Sequence, residues 1–143
     1  MKTIISKSEI ETHKLAENLA KTFTGNAVIG LIGDLGAGKT AFTKGLASGL
    51  NIKNKITSPT FVFMKVYDVL KNSKIKKFVH IDAYRISSEA DMEAIGAPEY
   101  FERPDTITVI EWADNLKNIL PRETKYIEFK SIDENTREIR FLF

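Results

Sequence analysis

Residues 33–40 read Gly33-Asp34-Leu35-Gly36-Ala37-Gly38-Lys39-Thr40, a run that fits GxxxxGK[ST]. The chemistry such a run performs is phosphate binding. Its glycines let the backbone close around phosphate oxygens with no Cβ in the way. Successive N–H groups from Gly33, Asp34, Gly36, Ala37 and Gly38 can then converge as an anion nest. Lys39 carries a point charge that reaches the β- and γ-phosphates. The Thr40 hydroxyl is placed to ligate Mg²⁺. The alternative is a chance match in a turn-rich stretch, and the flanking sequence argues against it.

A phosphate loop needs a metal, and the metal needs acidic help, commonly from the end of an apolar strand. Two acids sit at such ends: Asp82 follows FVHI, and Glu111 follows TVI. Either carboxylate can hold Mg²⁺ directly or through water, or orient an attacking water, and spacing does not choose between them. Lys39, Asp82 and Glu111 are therefore the candidate catalytic set, with Thr40 and one or other of the two acids the candidate metal ligands. Arg85 has two open readings, neutralising γ-phosphate charge or pairing with a nearby acid. Thr57, Ser58 and Thr60 form either a switch segment that senses the γ-phosphate or hydroxyls capping a strand start. Trp112, the only tryptophan, reads as packed near the site and not stacked on a base. His13 and His80 are too few and too far apart to suggest a metal site, and they read as structural.

The elements that position these residues follow from periodicity. Apolar residues 27–32 predict a strand entering the loop. Phe42, Leu46 and Leu50 share one face of a helix leaving it, whose N-terminus adds a positive dipole end. Upstream, residues 2–5 suggest a short strand. Ser8-Glu9-Ile10-Glu11 is a capping box, opening a helix to about Phe23 with Ile10, Leu15, Leu19 and Phe23 as its apolar stripe. Downstream, alternation over 60–69 and an apolar run over 75–81 predict a hairpin turning at 71–74, with Pro59 at a strand start or edge. Lys71, Lys74, Lys76 and Lys77 cluster there as a solvated turn, the alternative being a patch for RNA or a protein partner. A helix capped by Ser88 runs to near Gly96, followed by a short helical piece over 98–102. A strand over 106–110 delivers Glu111, then a short helix over 114–119, then a closing hairpin around Asp133-Glu134-Asn135. The expectation is an α/β P-loop NTPase fold: three αβα layers with a mixed sheet, parallel around the loop strand, and antiparallel hairpins at 60–82 and 124–143.

Composition agrees with one domain over residues 1–143. Hydrophobic residues make up 43%, enough for a real core, while 28% are charged. A net charge of +2 is too small to predict nucleic-acid binding from electrostatics. The absence of cysteine excludes disulfides and thiol chemistry. The first residues lack a signal-peptide core and no apolar run reaches membrane-spanning length, so a cytoplasmic location without membrane contact is expected.

The motifs GDLGAGKT (33–40), SPTF (58–61), HIDAYR (80–85) and IEW (110–112), in this order and spacing, resemble the TsaE family. The resemblance covers nearly the whole chain and rests on more than the widely shared phosphate loop. It implies an ATPase needed to make N6-threonylcarbamoyladenosine in tRNA, using ATP and Mg²⁺. It implies that Thr40 and Glu111 bind Mg²⁺ and that Asp82 serves hydrolysis. It brings Glu9, at the first long helix, and Arg137, in the last strand, to the nucleotide. Many members carry Thr where this chain has Ala41, so a side-chain contact is lost there while the backbone N–H can still meet the α-phosphate. The implied partners are TsaD and TsaB, whose complex ATP hydrolysis would reset or activate, with tRNA reached indirectly.

Three other functions compete. A small phosphotransferase of the nucleotide-kinase type needs an acceptor segment and an arginine-bearing lid, for which 143 residues leave little room. A GTPase switch needs NKxD and DxxG; the nearest stretch, Asn54-Lys55-Ile56-Thr57, lacks the aspartate and DxxG is absent. A nucleotide-binding module without catalysis would not require Lys39, Thr40, Asp82 and Glu111 together.

Overall fold

The computed structural model describes residues 1–57, 62–72 and 74–143, so Ser58, Thr60, the rest of the SPTF segment and Ser73 lie outside the described residues. In chain order come β1 (Lys2–Ser6), α1 (Glu9–Ala20), β2 (Ala27–Gly33), α2 (Lys39–Gly49), β3 (Met64–Asp68), β4 (Lys77–Asp82), α3 (Glu89–Ala94), α4 (Pro98–Phe101) and β5 (Thr106–Glu111). A 3₁₀ turn (Ala113–Asn115), β6 (Lys125–Ser131) and β7 (Arg137–Phe141) complete it. The strands form one sheet in the order β1-β7-β6-β2-β5-β4-β3. β2 pairs in parallel with both β5 and β6, and β4 pairs in parallel with β5. The β3–β4, β6–β7 and β1–β7 pairs are antiparallel. The mixed sheet with its parallel centre and two antiparallel hairpins is thus the one anticipated.

Strand parity divides the core into two layers, because alternate side chains point to opposite faces. Ile29, Leu31, Phe78, Ile107 and Val109 pack with Phe42, Leu46 and Leu50 of α2 and with Ala16 and Ala20 of α1. Val28, Val79, Ile81 and Ile110 pack with Met92 of α3, Phe101 of α4 and Leu116. β5 is buried along its whole length, including Glu111 at its end, as a central parallel strand should be.

The first helix departs from expectation. It ends at Ala20, and Ile10, assigned to the apolar stripe, is 82% exposed. Leu15, Leu19 and Phe23 do pack half-buried against the core, while the fully buried residues of the helix are Thr12, Ala16 and Ala20. This buried face lies against Gly45 and Gly49 of α2, where an added Cβ would stand 2.7 Å from the Cβ of Ala16 and of Ala20 respectively. Small residues on both helices let the two backbones approach closely. The Ser8 hydroxyl accepts from Glu11 N at 3.1 Å, while the Glu11 carboxylate accepts from Lys7 N at 2.8 Å, one residue earlier than in a standard box. Two other expectations shift: the helix over 114–119 is only a 3₁₀ turn at Ala113–Asn115, and strand β3 begins at Met64. In the hairpin, Lys77 pairs with Asp68, and Lys76 Nζ donates to Asn72 O at 3.0 Å.

Candidate functional site

β2 leaves the sheet at Gly33, whose φ of 145° and contact with the Phe129 backbone leave no space for a side chain. The loop turns again at Gly36 (φ 77°) and at Gly38 (φ 108°), which is the N-cap of α2. No side chain caps that helix, so its first N–H groups stay available to a ligand. Above them opens a cleft of about 800 Å³. Its floor is Gly36, Gly38, Lys39, Thr40 and Ala41; one wall is Asp82, Glu111 and Trp112. Glu9 and its neighbours at the start of α1 form a second wall, and Arg137 with the β6–β7 turn a third. Sequence positions separated by most of the chain therefore meet at one place. Gly33, Asp34 and Ala37 belong to the loop but do not line the cleft; Ala37 is buried and its N–H donates to Asp34 O at 3.1 Å.

Lys39 is only 5% exposed. Its ammonium donates to Gly33 O and, at 2.8 Å, to Asp34 O, and stands 3.9 Å from the centre of the Trp112 ring. Burial pushes its pKa below the ordinary 10.5, against the opposing pull of the Asp114, Glu111, Asp34 and Asp82 carboxylates. Trp112 reaches the lysine because its backbone turns sharply out of β5 (φ 61°), a conformation that costs a bulky residue about 1 kcal/mol or more. Tyr84 packs edge-on against its ring at 5.1 Å. The expectation that Trp112 packs beside the site therefore holds.

Register explains the acids. Asp82 and Glu111 are direct partners on the parallel β4–β5 ladder, so both strands end together beside the loop. The Asp82 carboxylate accepts from Tyr84 N at 3.0 Å. Glu111 is buried, and its two oxygens are divided: Oε1 accepts from the Thr40 hydroxyl at 3.2 Å, and Oε2 lies 2.5 Å from His80 Nε2. His80 was set aside in the sequence as structural, yet it touches a candidate metal ligand. The signal was available in parity, because His80 and Asp82 are two residues apart on β4 and so share a face.

Arg137 is 7% exposed and lies under the loop, with Nη1 2.9 Å from where a Cβ on Gly38 would stand. Glu9 lines both the main cleft and a smaller hollow beside Thr40 and Ala41. Arg85 is exposed, on an adjoining hollow of about 320 Å³ with Leu35, Phe63, Tyr84 and Trp112. The Thr57 hydroxyl accepts from Lys65 Nζ at 2.7 Å.

A parallel-centred sheet whose β2 opens through a glycine loop into the uncapped start of α2 defines an α/β protein of the P-loop class. Within that class, residues 6–139 match the family described as Threonylcarbamoyl adenosine biosynthesis protein TsaE, and the chain belongs to that family. It is 39% identical over 131 residues to the Bacillus subtilis tRNA threonylcarbamoyladenosine biosynthesis protein TsaE, covering 92% of this chain and 78% of that one. It is 38% identical over 142 residues to the Aquifex aeolicus protein of the same name, covering 98% and 95%. The crystal structure of Bacillus subtilis YdiB superposes with a TM-score of 0.78 at 33% identity, over 98% of this chain and 83% of that one.

Proposed function

We propose that this chain is a Mg²⁺-dependent ATPase that supports threonylcarbamoyladenosine formation in tRNA by binding the TsaD–TsaB pair and resetting or activating it. The observation that carries the ATPase part is the convergence of an uncapped helix start, a buried lysine and the Thr40–Glu111 pair on one cleft. The pathway follows from family membership.

The donor set suits magnesium. Among the described residues no group of three or more His, Cys, Asp or Glu side chains gathers to hold a metal. Mg²⁺ does not ask for one, since it binds through one or two protein oxygens plus substrate phosphates and water. Thr40 and Glu111 would hold it, and it would supply neutralisation of the phosphate charge that develops on hydrolysis. The protein's own part is electrostatic. The N–H groups at the start of α2 bind phosphate oxygens, and Lys39 turns from the Gly33 and Asp34 carbonyls toward the phosphates. Asp82, at the neighbouring strand end, accepts a hydrogen bond from the attacking water and orients it in line. Tyr84 packs edge-on against Trp112 beside that end. Glu9 and Arg137, on two further walls of the cleft, would approach the nucleotide. Among the described residues no helix is long and apolar enough to cross a membrane. ATP dependence fits work in the cytoplasm.

The test is ATP turnover by the wild type and by Glu111→Ala, with and without TsaD and TsaB. Slow turnover alone, stimulation by the pair, and a loss in Glu111→Ala larger than its loss of nucleotide affinity are expected. No heat on titrating magnesium ATP into the folded protein, alone or with both partners, would overturn the reading. Capture of TsaD–TsaB that is indifferent to ATP would overturn its partner half.

A further inference from the structure

We infer that His80 is a positioning residue for Glu111: it donates its Nε2–H to Oε2 and thereby keeps Oε1 turned toward Thr40 and the cleft. The inference rests on the proposed nucleotide site for its consequence, though not for its geometry.

His80 is fully buried, and the Nε2–Oε2 separation is 2.5 Å. Its Nδ1 is also buried and has no hydrogen-bond partner among the described residues. That asymmetry fixes the tautomer. A buried N–H without an acceptor is rarer and costlier than a bare acceptor lone pair, so the proton sits on Nε2, where a carboxylate oxygen receives it. The two oxygens of Glu111 are then no longer equivalent. Oε2 is engaged from the sheet side, and Oε1 is left to the Thr40 hydroxyl at 3.2 Å. Thr40 and Glu111 are 71 residues apart, and Thr40 is exposed, so the buried contact on Oε2 is the firmer of the two that orient the carboxylate.

The strand geometry makes the contact robust. His80 pairs with Val109, and Asp82 with Glu111, on the parallel β4–β5 ladder. His80 and Glu111 are thus diagonal neighbours on the face toward α2, within reach of a long side chain. Partners that hold a ligating carboxylate in this way typically matter about 10- to 100-fold in metal affinity.

The experiment has two parts. In nucleotide-free protein, ¹⁵N NMR of the His80 ring should show a protonated Nε2 and a bare Nδ1. The opposite tautomer would overturn the inference whatever the protein binds. In the second part, nucleotide binding is titrated against Mg²⁺ using Trp112 fluorescence, for wild type, His80→Gln, His80→Asn and His80→Leu. A glutamine places its amide nitrogen near Nε2, an asparagine near Nδ1. His80→Gln should keep a Mg²⁺ requirement close to wild type, whereas His80→Asn and His80→Leu should need about tenfold more Mg²⁺ or beyond. Metal-free nucleotide affinity should stay within about twofold, since the phosphate-binding amides are untouched. In a Glu111→Gln background the His80 substitutions should add nothing to the Mg²⁺ requirement. Equal Mg²⁺ dependence across the histidine variants would overturn the inference. A wild type that ignores Mg²⁺ would instead overturn the proposed function, so the two failures are distinguishable. If His80→Leu does not fold, the Gln–Asn contrast still decides.

Discussion

The Thr40 hydroxyl donates to Glu111 Oε1 over 3.2 Å, tying the first turn of α2 to the end of β5. The two groups belong to different elements and make no other demand on each other, so they can be separated by mutation. Thr40→Val keeps the branched shape and removes the oxygen. Because Thr40 is exposed, the fold should lose little, within about 0.5 kcal/mol. The metal-dependent part of nucleotide binding should weaken by about tenfold, or ~1.4 kcal/mol. Glu111→Ala should behave differently, leaving the buried His80 N–H without an acceptor and costing about 1–3 kcal/mol of stability. Urea unfolding of both variants checks this; equal midpoints would contradict it.

Lys39 predicts a pH dependence of definite sign. Its pKa in the folded, ligand-free protein is depressed below 10.5 by burial. Between the depressed value and the ordinary one, the unfolded chain therefore holds more protons than the folded one. Below that window the full cost of the buried charge is present, and stability rises as pH climbs through it. A bound triphosphate favours the ammonium and raises the pKa again. Binding should take up a proton in the alkaline range, and affinity should fall as pH rises through the ligand-free value. Calorimetry in two alkaline buffers of different ionisation enthalpy reads the uptake directly, and a zero uptake would refute it. Lys39→Met should abolish binding yet melt at or above wild type, since an apolar chain of similar length carries no buried charge.

Trp112 reports on the same lysine. Its ring lies 3.9 Å from Lys39 Nζ, and it is the only tryptophan in the chain. If nucleotide draws the ammonium from the Gly33 and Asp34 carbonyls toward phosphate, the indole loses its cation and its emission must change. Tyr84, edge-on to the ring, should moderate solvent access, so Tyr84→Ala should shift the free protein's emission to the red. An emission spectrum unchanged by saturating nucleotide would count against the motion of Lys39.

What the sequence disclosed and what it hid divide along physical lines. The phosphate loop was legible because glycine, lysine and threonine at fixed offsets answer one local demand. Asp82 and Glu111 were legible as strand ends, and the hairpins as alternating runs around turns. Strand order was not, because β5 inserts between β2 and β4 through contacts far apart in sequence. The role of His80 was hidden for the same reason, as its partner lies on the neighbouring strand. The stripe of α1 was legible at Leu15, Leu19 and Phe23 but misjudged at Ile10, for another reason. Periodicity weighs large apolar residues, and Ile10 scored while Ala16 and Ala20 did not. Close helix packing selects small side chains, and α2 answers with glycines at 45 and 49.

That packing gives the last prediction. Gly45 and Gly49 are four residues apart on α2, directly under Ala16 and Ala20 of α1. A methyl at Gly45 would press on the His13 carbonyl and stand 2.7 Å from Ala16 Cβ, so the helices must part. Helix propensity alone would favour Gly45→Ala by about 1 kcal/mol. Overpacking should outweigh it, for a net loss of about 1–2 kcal/mol. Because α1 carries Glu9 on the cleft wall, nucleotide affinity should fall with stability. Gly36→Ala is the control. Nothing lies within 4 Å of a Cβ there, and only the backbone at φ 77° objects, at about 1–2 kcal/mol, so its loss should come from the loop alone, with the α1–α2 contact unchanged. Thermal unfolding of the two variants decides, and a Gly45→Ala protein as stable as wild type would mean that α1 rides on α2 with slack to spare.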